Sequence, residues 1–149
     1  MNKTIIVGID GSTSARLATR WAAHEAALRH EDLILVSAWS MPLDGYNFGD
    51  VPFSEEALKS LEVEAEERLA EAAEDARQVA TDLWIMTEAA QGQPAAVLLH
   101  ASRNADLLVI GSRGLGGFRG LLLGSVSQQC VDHASCPVVV VRHLNADFP

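Results

Sequence analysis

The sequence predicts an α/β domain: a five-stranded parallel sheet with helices on both faces. Three observations predict it. Five short apolar runs of strand length alternate with four stretches whose apolar residues recur every three or four positions. The first and last of those runs, Thr4 to Ile9 and Pro137 to Arg142, are β-branched and lack polar alternation, as expected of strands covered on both faces. The 149 residues suit one domain and leave too little for two full cores, so a single unit over 1–149 is expected, with an ordered core of about 3–143. Such alternation implies parallel strands joined by right-handed crossovers.

Each element follows from local chemistry. The first strand, Thr4 to Ile9, ends at Asp10-Gly11-Ser12, where Ser12 or Thr13 is placed to cap the next helix. That helix, about Ser14 to His30, carries a face of small residues at Ala15, Ala18, Ala22 and Ala26, flanked by Leu17, Trp21 and Leu28. Leu33 to Trp39 reads as the second strand. Ser40 to Phe53 is rich in Pro, Gly, Asp and Asn and reads as a long loop. A long helix is expected from about Ser54 to Val79, with Leu58, Leu61, Ala65, Leu69, Ala72, Ala76 and Val79 forming one inward stripe. Leu83 to Ala89 is the third strand. A short helix to about Ser102 begins at Gly92-Gln93-Pro94, with the proline in the first turn, where its missing N–H costs nothing. Asp106 to Ile110 is the fourth strand. A helix from Ser125 to His133 and the strand Pro137 to Arg142 complete the order.

Composition narrows the function. The chain is 48% hydrophobic and 21% charged, which is ordinary for a globular protein. No run is long enough to span a membrane, and the N-terminus lacks the h-region and cleavage site of a signal peptide. The cytoplasm is the expected compartment. Cys130 and Cys136 lack the paired spacing of a metal site and read as small apolar residues. The net charge is −9, most of it on the solvated face of the long helix. An acidic chain argues against nucleic acid as partner, because phosphate neutralisation requires clustered Lys and Arg. Against that background, Leu107 to Val131 contains no Asp or Glu and carries Arg113 and Arg119. A small anion is the expected ligand there.

Six glycines lie in the fourteen residues from Gly111 to Gly124. Without Cβ atoms, their N–H groups are able to converge on an anion. Gly124-Ser125 then opens a helix whose first amides and positive dipole end favour phosphate, and Ser125 and Gln128 have capping-box spacing. The segment is not a Walker A loop, since Gly-Lys-Ser/Thr is missing. The dinucleotide pattern fails as well, because Arg119 stands where the third glycine is needed. These absences remove the usual machinery for fast phosphoryl transfer.

The stretch resembles the nucleotide loop of the universal stress protein family, G-x2-G-x9-G-S/T, which Gly111, Gly114, Gly124 and Ser125 fit without a gap. The resemblance extends to the opening Val7-Gly8-Ile9-Asp10-Gly11-Ser12 and the closing Cys136-Pro137-Val138-Val139-Val140-Val141. It implies a Rossmann-like sheet of the adenine nucleotide alpha hydrolase-like type that binds ATP or another adenine nucleotide. By the same resemblance, Asp10 meets the ribose hydroxyls or a phosphate-bound Mg²⁺, and Gly8 and Ile9 supply backbone beneath the adenine. The main chain of Ala38 reads the adenine edge and Gly111 lies against the ribose. Gly114, Gly124, Ser125 and Val126 hold the phosphates through backbone N–H groups and the Ser125 hydroxyl, with Arg113 adding charge. A different reading of Asp10 is a turn residue that caps the first helix.

Three functions compete: a nucleotide-dependent regulatory module, a slow ATPase or phosphotransferase, and a family member that binds no nucleotide and serves as an interaction protein. No acid or base accompanies the glycine loop in sequence, which disfavours the enzyme. The intact glycine spacing disfavours the interaction protein. The family topology puts the last strand at a sheet edge, where an apolar unprotected strand invites pairing, so a homodimer through residues 137 to 142 is expected.

Overall fold

In the computed structural model, residues 2–41, 54–113 and 123–142 are described. The strands are β1 (Thr4–Gly8), β2 (Asp32–Trp39), β3 (Ile85–Gln91), β4 (Leu107–Gly111) and β5 (Val138–Val141). The helices are α1 (Thr13–Arg29), α2 (Glu55–Val79), α3 (Pro94–Ala101) and α4 (Ser125–His133). The five strands form one parallel sheet in the order β3-β2-β1-β4-β5.

Alternation along each strand divides the core in two. Ile5, Val7, Leu33, Leu35, Leu107 and Val109 face α1 and α2, where they meet Ala18, Ala22, Ala26, Leu69 and Ala76. Ile6, Val36, Leu108 and Ile110 point to the other side, onto Leu98 of α3 and Cys130 of α4. A fully buried Ile, Leu or Val is worth about 1.5–3 kcal/mol of transfer free energy, so the central strands carry much of the stability. The alanine face expected of α1 is buried, and Leu28 beside it is exposed. On α2 the stripe holds at Ala65, Leu69, Ala72 and Ala76, and Ala73 joins it.

Helix starts obey side-chain chemistry. Ser12 caps α1, its Oγ accepting the Ala15 N–H at 3.1 Å, and Ser54 caps α2 by accepting from Ala57 N at 3.2 Å. Each such cap is worth about 1 kcal/mol. Most boundaries shift by one residue from expectation; the largest shift is at β3, which lies two residues further along than the apolar run Leu83 to Ala89 suggests. Its register sets Leu33 beside Ile85 and Trp39 beside Gln91. Because β3 is an edge strand, the polar pair Thr87 and Glu88 is exposed in mid-strand without cost. The four valines of β5 are each half-buried, Val139 and Val141 against one core cluster, Val138 and Val140 against the other. Nearly all of the expected loop Ser40 to Phe53 lies outside the described residues.

Candidate functional site

The chain leaves neighbouring strands β1 and β4 toward opposite faces, β1 into α1 and β4 toward α4. Such a divergence opens a crevice at the carboxyl ends of the strands. Among the described residues, a cleft of about 100 Å³ that opens to solvent occupies that position. Its walls come from six elements, with Ala15 of α1 among them. Gly8, Ile9, Asp10 and Ser12 follow β1, and Val36 and Ala38 belong to β2. Pro94 and Leu98 of α3 close one side, while Ile110, Gly111 and Arg113 come from the end of β4. Val126 and Ser127, in the first turn of α4, complete it.

The two ends of the cleft differ in chemistry. Gly8, Val36, Leu98 and Ile110 make one end apolar. Leu98 lies directly over Gly8, its Cδ1 2.8 Å from where a Cβ on that glycine would stand. At the other end α4 begins at Gly124, which has φ −71° and ψ 168° and supplies no side-chain cap. The N–H groups of Ser125, Val126 and Ser127 belong to the first turn and have no acceptor inside the helix. With the positive end of the helix dipole behind them, they suit an anion.

The β1–α1 turn sets Asp10 beside the cleft. Its Oδ1 accepts the Ser12 N–H at 2.9 Å, across Gly11 at φ +83°. Asp10 is therefore a turn residue, as one of the two readings has it, but the α1 cap is Ser12. The second oxygen of Asp10 has no protein donor among the described contacts. Ser12 Oγ also donates to the Arg113 carbonyl at 3.4 Å, a long contact that links the loops after β1 and β4.

Of the residues singled out in the sequence, Gly8, Ile9, Asp10, Ala38, Gly111, Arg113 and Val126 line this one cleft. Gly114 lies outside the described residues. Three expectations change. The Gly124 N–H is not left for phosphate: it donates to the Ser112 carbonyl at 2.7 Å, closing the loop onto the strand it left. The capping box of Ser125 and Gln128 does not form. Gly124 is the N-cap, and Gln128 donates instead to Asp132 Oδ1 at 3.0 Å. Gly111 has a packing reason to be glycine, since a Cβ there would stand 2.6 Å from Ser14 Cβ and 2.8 Å from Ala15 N in α1.

Lining residues with no sequence signal for a ligand include Val36, Pro94, Leu98, Ile110 and Ser127. Their periodicity marks them as core or helix-start positions, and only the fold brings them to the strand ends. Ser127 was the most legible, as a hydroxyl in the first turn after Gly124-Ser125. Its Oγ donates to the Gly111 carbonyl at 2.7 Å.

Other features do not compete with this cleft. A wider trough between α1 and α2 is walled by Arg16, Arg68, Glu71, Glu74 and Asp75. Both of its arginines are paired: Arg16 Nε lies 3.1 Å from Asp75 Oδ2, and Arg68 is held by Glu64 at 2.8 Å. Burial pushes the Cys130 thiol up to about 11 and also raises that of Cys136. Both stay protonated and unreactive near neutrality. His24, His30, His100 and His133 are exposed and away from the cleft. Among the described residues no group of three or more His, Cys, Asp or Glu could hold a metal ion, and no helix is long and apolar enough to cross a membrane.

Comparison with known proteins agrees with the geometry. A family model described as the universal stress protein family matches residues 1–142. A universal stress protein of Thermus aquaticus is 41% identical over 144 residues, covering 95% of this chain and all of the relative. Another, from Mycolicibacterium smegmatis, is 36% identical over 138 residues, covering 93% of this chain. The chain spans only 45% of the length of that relative. Among solved structures, a universal stress protein in complex with cAMP superposes with a TM-score of 0.73 at 27% identity, covering 94% of this chain and 97% of the other. One from Archaeoglobus fulgidus in complex with dAMP gives a TM-score of 0.65 at 23% identity, over 95% and 98% of the two chains, and attests the shared fold.

Proposed function

The chain belongs to the universal stress protein family, and from that premise we propose that it is a regulatory module whose cleft binds ATP. One observation carries this reading: a single cleft joins an apolar end to an uncapped helix start. The apolar end of the cleft, lined by Val36, Leu98 and Ile110, takes the adenine, with the Ala38 main chain at its edge. The ribose lies between Asp10 and Gly111, where the open oxygen of Asp10 accepts from a hydroxyl. The phosphates lie at the first-turn amides of α4, beside the Ser125 hydroxyl and Arg113. Solved relatives in complex with cAMP and dAMP support an adenine nucleotide as the ligand class.

Magnesium enters with the nucleotide in this reading. Asp10 is one carboxylate, too few ligands for a resident hard cation, which takes six or more oxygens. A hydrated Mg²⁺ on the phosphates meets it through water. Among the described residues no acid or base lines the cleft besides Asp10; in this reading binding and release are the working events, and occupancy is read by a partner. That partner is a second copy of this chain, docked through residues 137 to 142 at the sheet edge, in the cytoplasm.

Calorimetry with ATP, ADP, cAMP and adenosine tests the reading, together with mass analysis of any nucleotide that co-purifies. Saturable ATP binding is expected. No heat of binding for any of the four at millimolar ligand would overturn it. Steady ATP hydrolysis abolished by Asp10→Ala would replace the regulatory module with an enzyme.

A further inference from the structure

We infer that Ser127 is the positioning residue on which discrimination between ATP and unphosphorylated adenosine depends. The inference rests on the proposed nucleotide site and goes beyond it, because Ser127 lies outside the glycine motif and its hydroxyl faces away from the phosphate region, toward the strand. Two tethers join the start of α4 to the end of β4. The main-chain tether is Gly124 N–H to the Ser112 carbonyl at 2.7 Å. The side-chain tether is Ser127 Oγ to the Gly111 carbonyl, also 2.7 Å.

They do different things. The first attaches the helix at its N-cap, a glycine, about which the backbone is free to pivot. One attachment fixes a point, and packing through Val126 and Cys130 holds the body of the helix, but the set of the first turn needs a further contact. The second comes three residues later, on the same face and nearly one turn along the axis, and with the first it fixes the direction in which the amides of Ser125, Val126 and Ser127 point. Ser127 is 4% exposed, so water does not replace the lost bond freely, and its single proton is committed to Gly111. Charge–dipole interactions at a helix start fall off within one turn. A small swing of the first turn therefore costs phosphate affinity and leaves the apolar end of the cleft, around Val36, Leu98 and Ile110, as it was.

The test is the ratio of adenosine to ATP dissociation constants in wild type, S127A, S127C and S127T, with thermal unfolding measured alongside. Wild type should prefer ATP. S127A should lose about five- to tenfold of that preference, the value of one hydrogen bond, with adenosine binding changed less than about twofold. S127C keeps the volume, offers a weaker donor, and should lose most of the same preference even if S127A proves too unstable to study. S127T, which keeps the hydroxyl, should restore it. A wild type that binds ATP and adenosine equally overturns the phosphate site itself. A wild type that discriminates, with S127A and S127C discriminating equally well or losing both ligands in parallel, overturns the role of Ser127 alone.

Discussion

Leu98 rests on the bare backbone of Gly8, its Cδ1 2.8 Å from the position a β-carbon would take. That contact couples a core helix to the floor of the cleft. The nearest obstacle is the end of a flexible side chain, so a methyl at position 8 is accommodated by turning Leu98 into the cleft. Gly8→Ala is expected to weaken ATP and adenosine together, about tenfold, at a stability cost within about 1 kcal/mol. Gly111→Ala meets α1 backbone instead, at 2.6 Å from Ser14 C and 2.8 Å from Ala15 N, and backbone does not turn aside. It should cost about 1–3 kcal/mol in urea denaturation. Equal stability losses in the two variants would contradict this division.

Asp10 has two duties that two variants separate. Asp10→Asn keeps an acceptor for the Ser12 N–H, whereas Asp10→Ala loses it. Only the alanine variant should lose stability, by about 1 kcal/mol. Both should weaken ATP binding about tenfold or more, since a charged acceptor is worth about 1.5–3 kcal/mol. An asparagine variant with unchanged ATP affinity would leave Asp10 as a turn residue only.

The edge of β5 has a directional test. Pro137 and Val141 present their carbonyls to β4, accepting from Leu108 N and Ser112 N. Alternate residues of a parallel strand bond to the same neighbour, so the N–H of Val140 faces outward. Val140→Pro removes a donor from the free edge and spares the ladder to β4. Light scattering should show wild type as a dimer and V140P as a folded monomer. A monomeric wild type at micromolar concentration would refute the edge interface.

Cys130 gives a pH signature. Its thiol is fully buried and raised from 9.0 to about 11. Below pH 9 the thiol is protonated in folded and unfolded chains alike, and stability is unaffected. Between the two values the unfolded chain releases the proton and the folded one does not, so stability falls as pH rises. The loss from this one group is on the order of 2 kcal/mol by pH 11. Urea melts at pH 8 and 10.5 should show Cys130→Ala with a shallower alkaline decline than wild type. Parallel declines would mean that the thiol ionises inside the fold.

Much of this protein was legible in one dimension because its signals are local. Caps at Ser12 and Ser54, the proline at the start of α3 and the three-and-four stripe of α2 each involve residues within a few positions of one another. Short-range sterics and hydrogen bonding set these, and the order of elements then implies a parallel sheet. The glycine spacing and the Asp10 turn located the strand ends that form the cleft.

Tertiary structure decided which of those groups have anything left to offer a ligand. Gly124 looks like a phosphate donor until its N–H is found on Ser112, and the packing demand for glycine at 111 shows only when Ser14 and Ala15 are found against it. Leu98 and Ser127 enter the cleft only because α3 and α4 pack on the same face of the sheet. The reason is physical. A residue's conformation is dictated mainly by its neighbours in sequence, but whether its donors and surface are already spent depends on partners that folding brings from elsewhere in the chain, in the case of Gly111 and Ser14 from the opposite end of the domain.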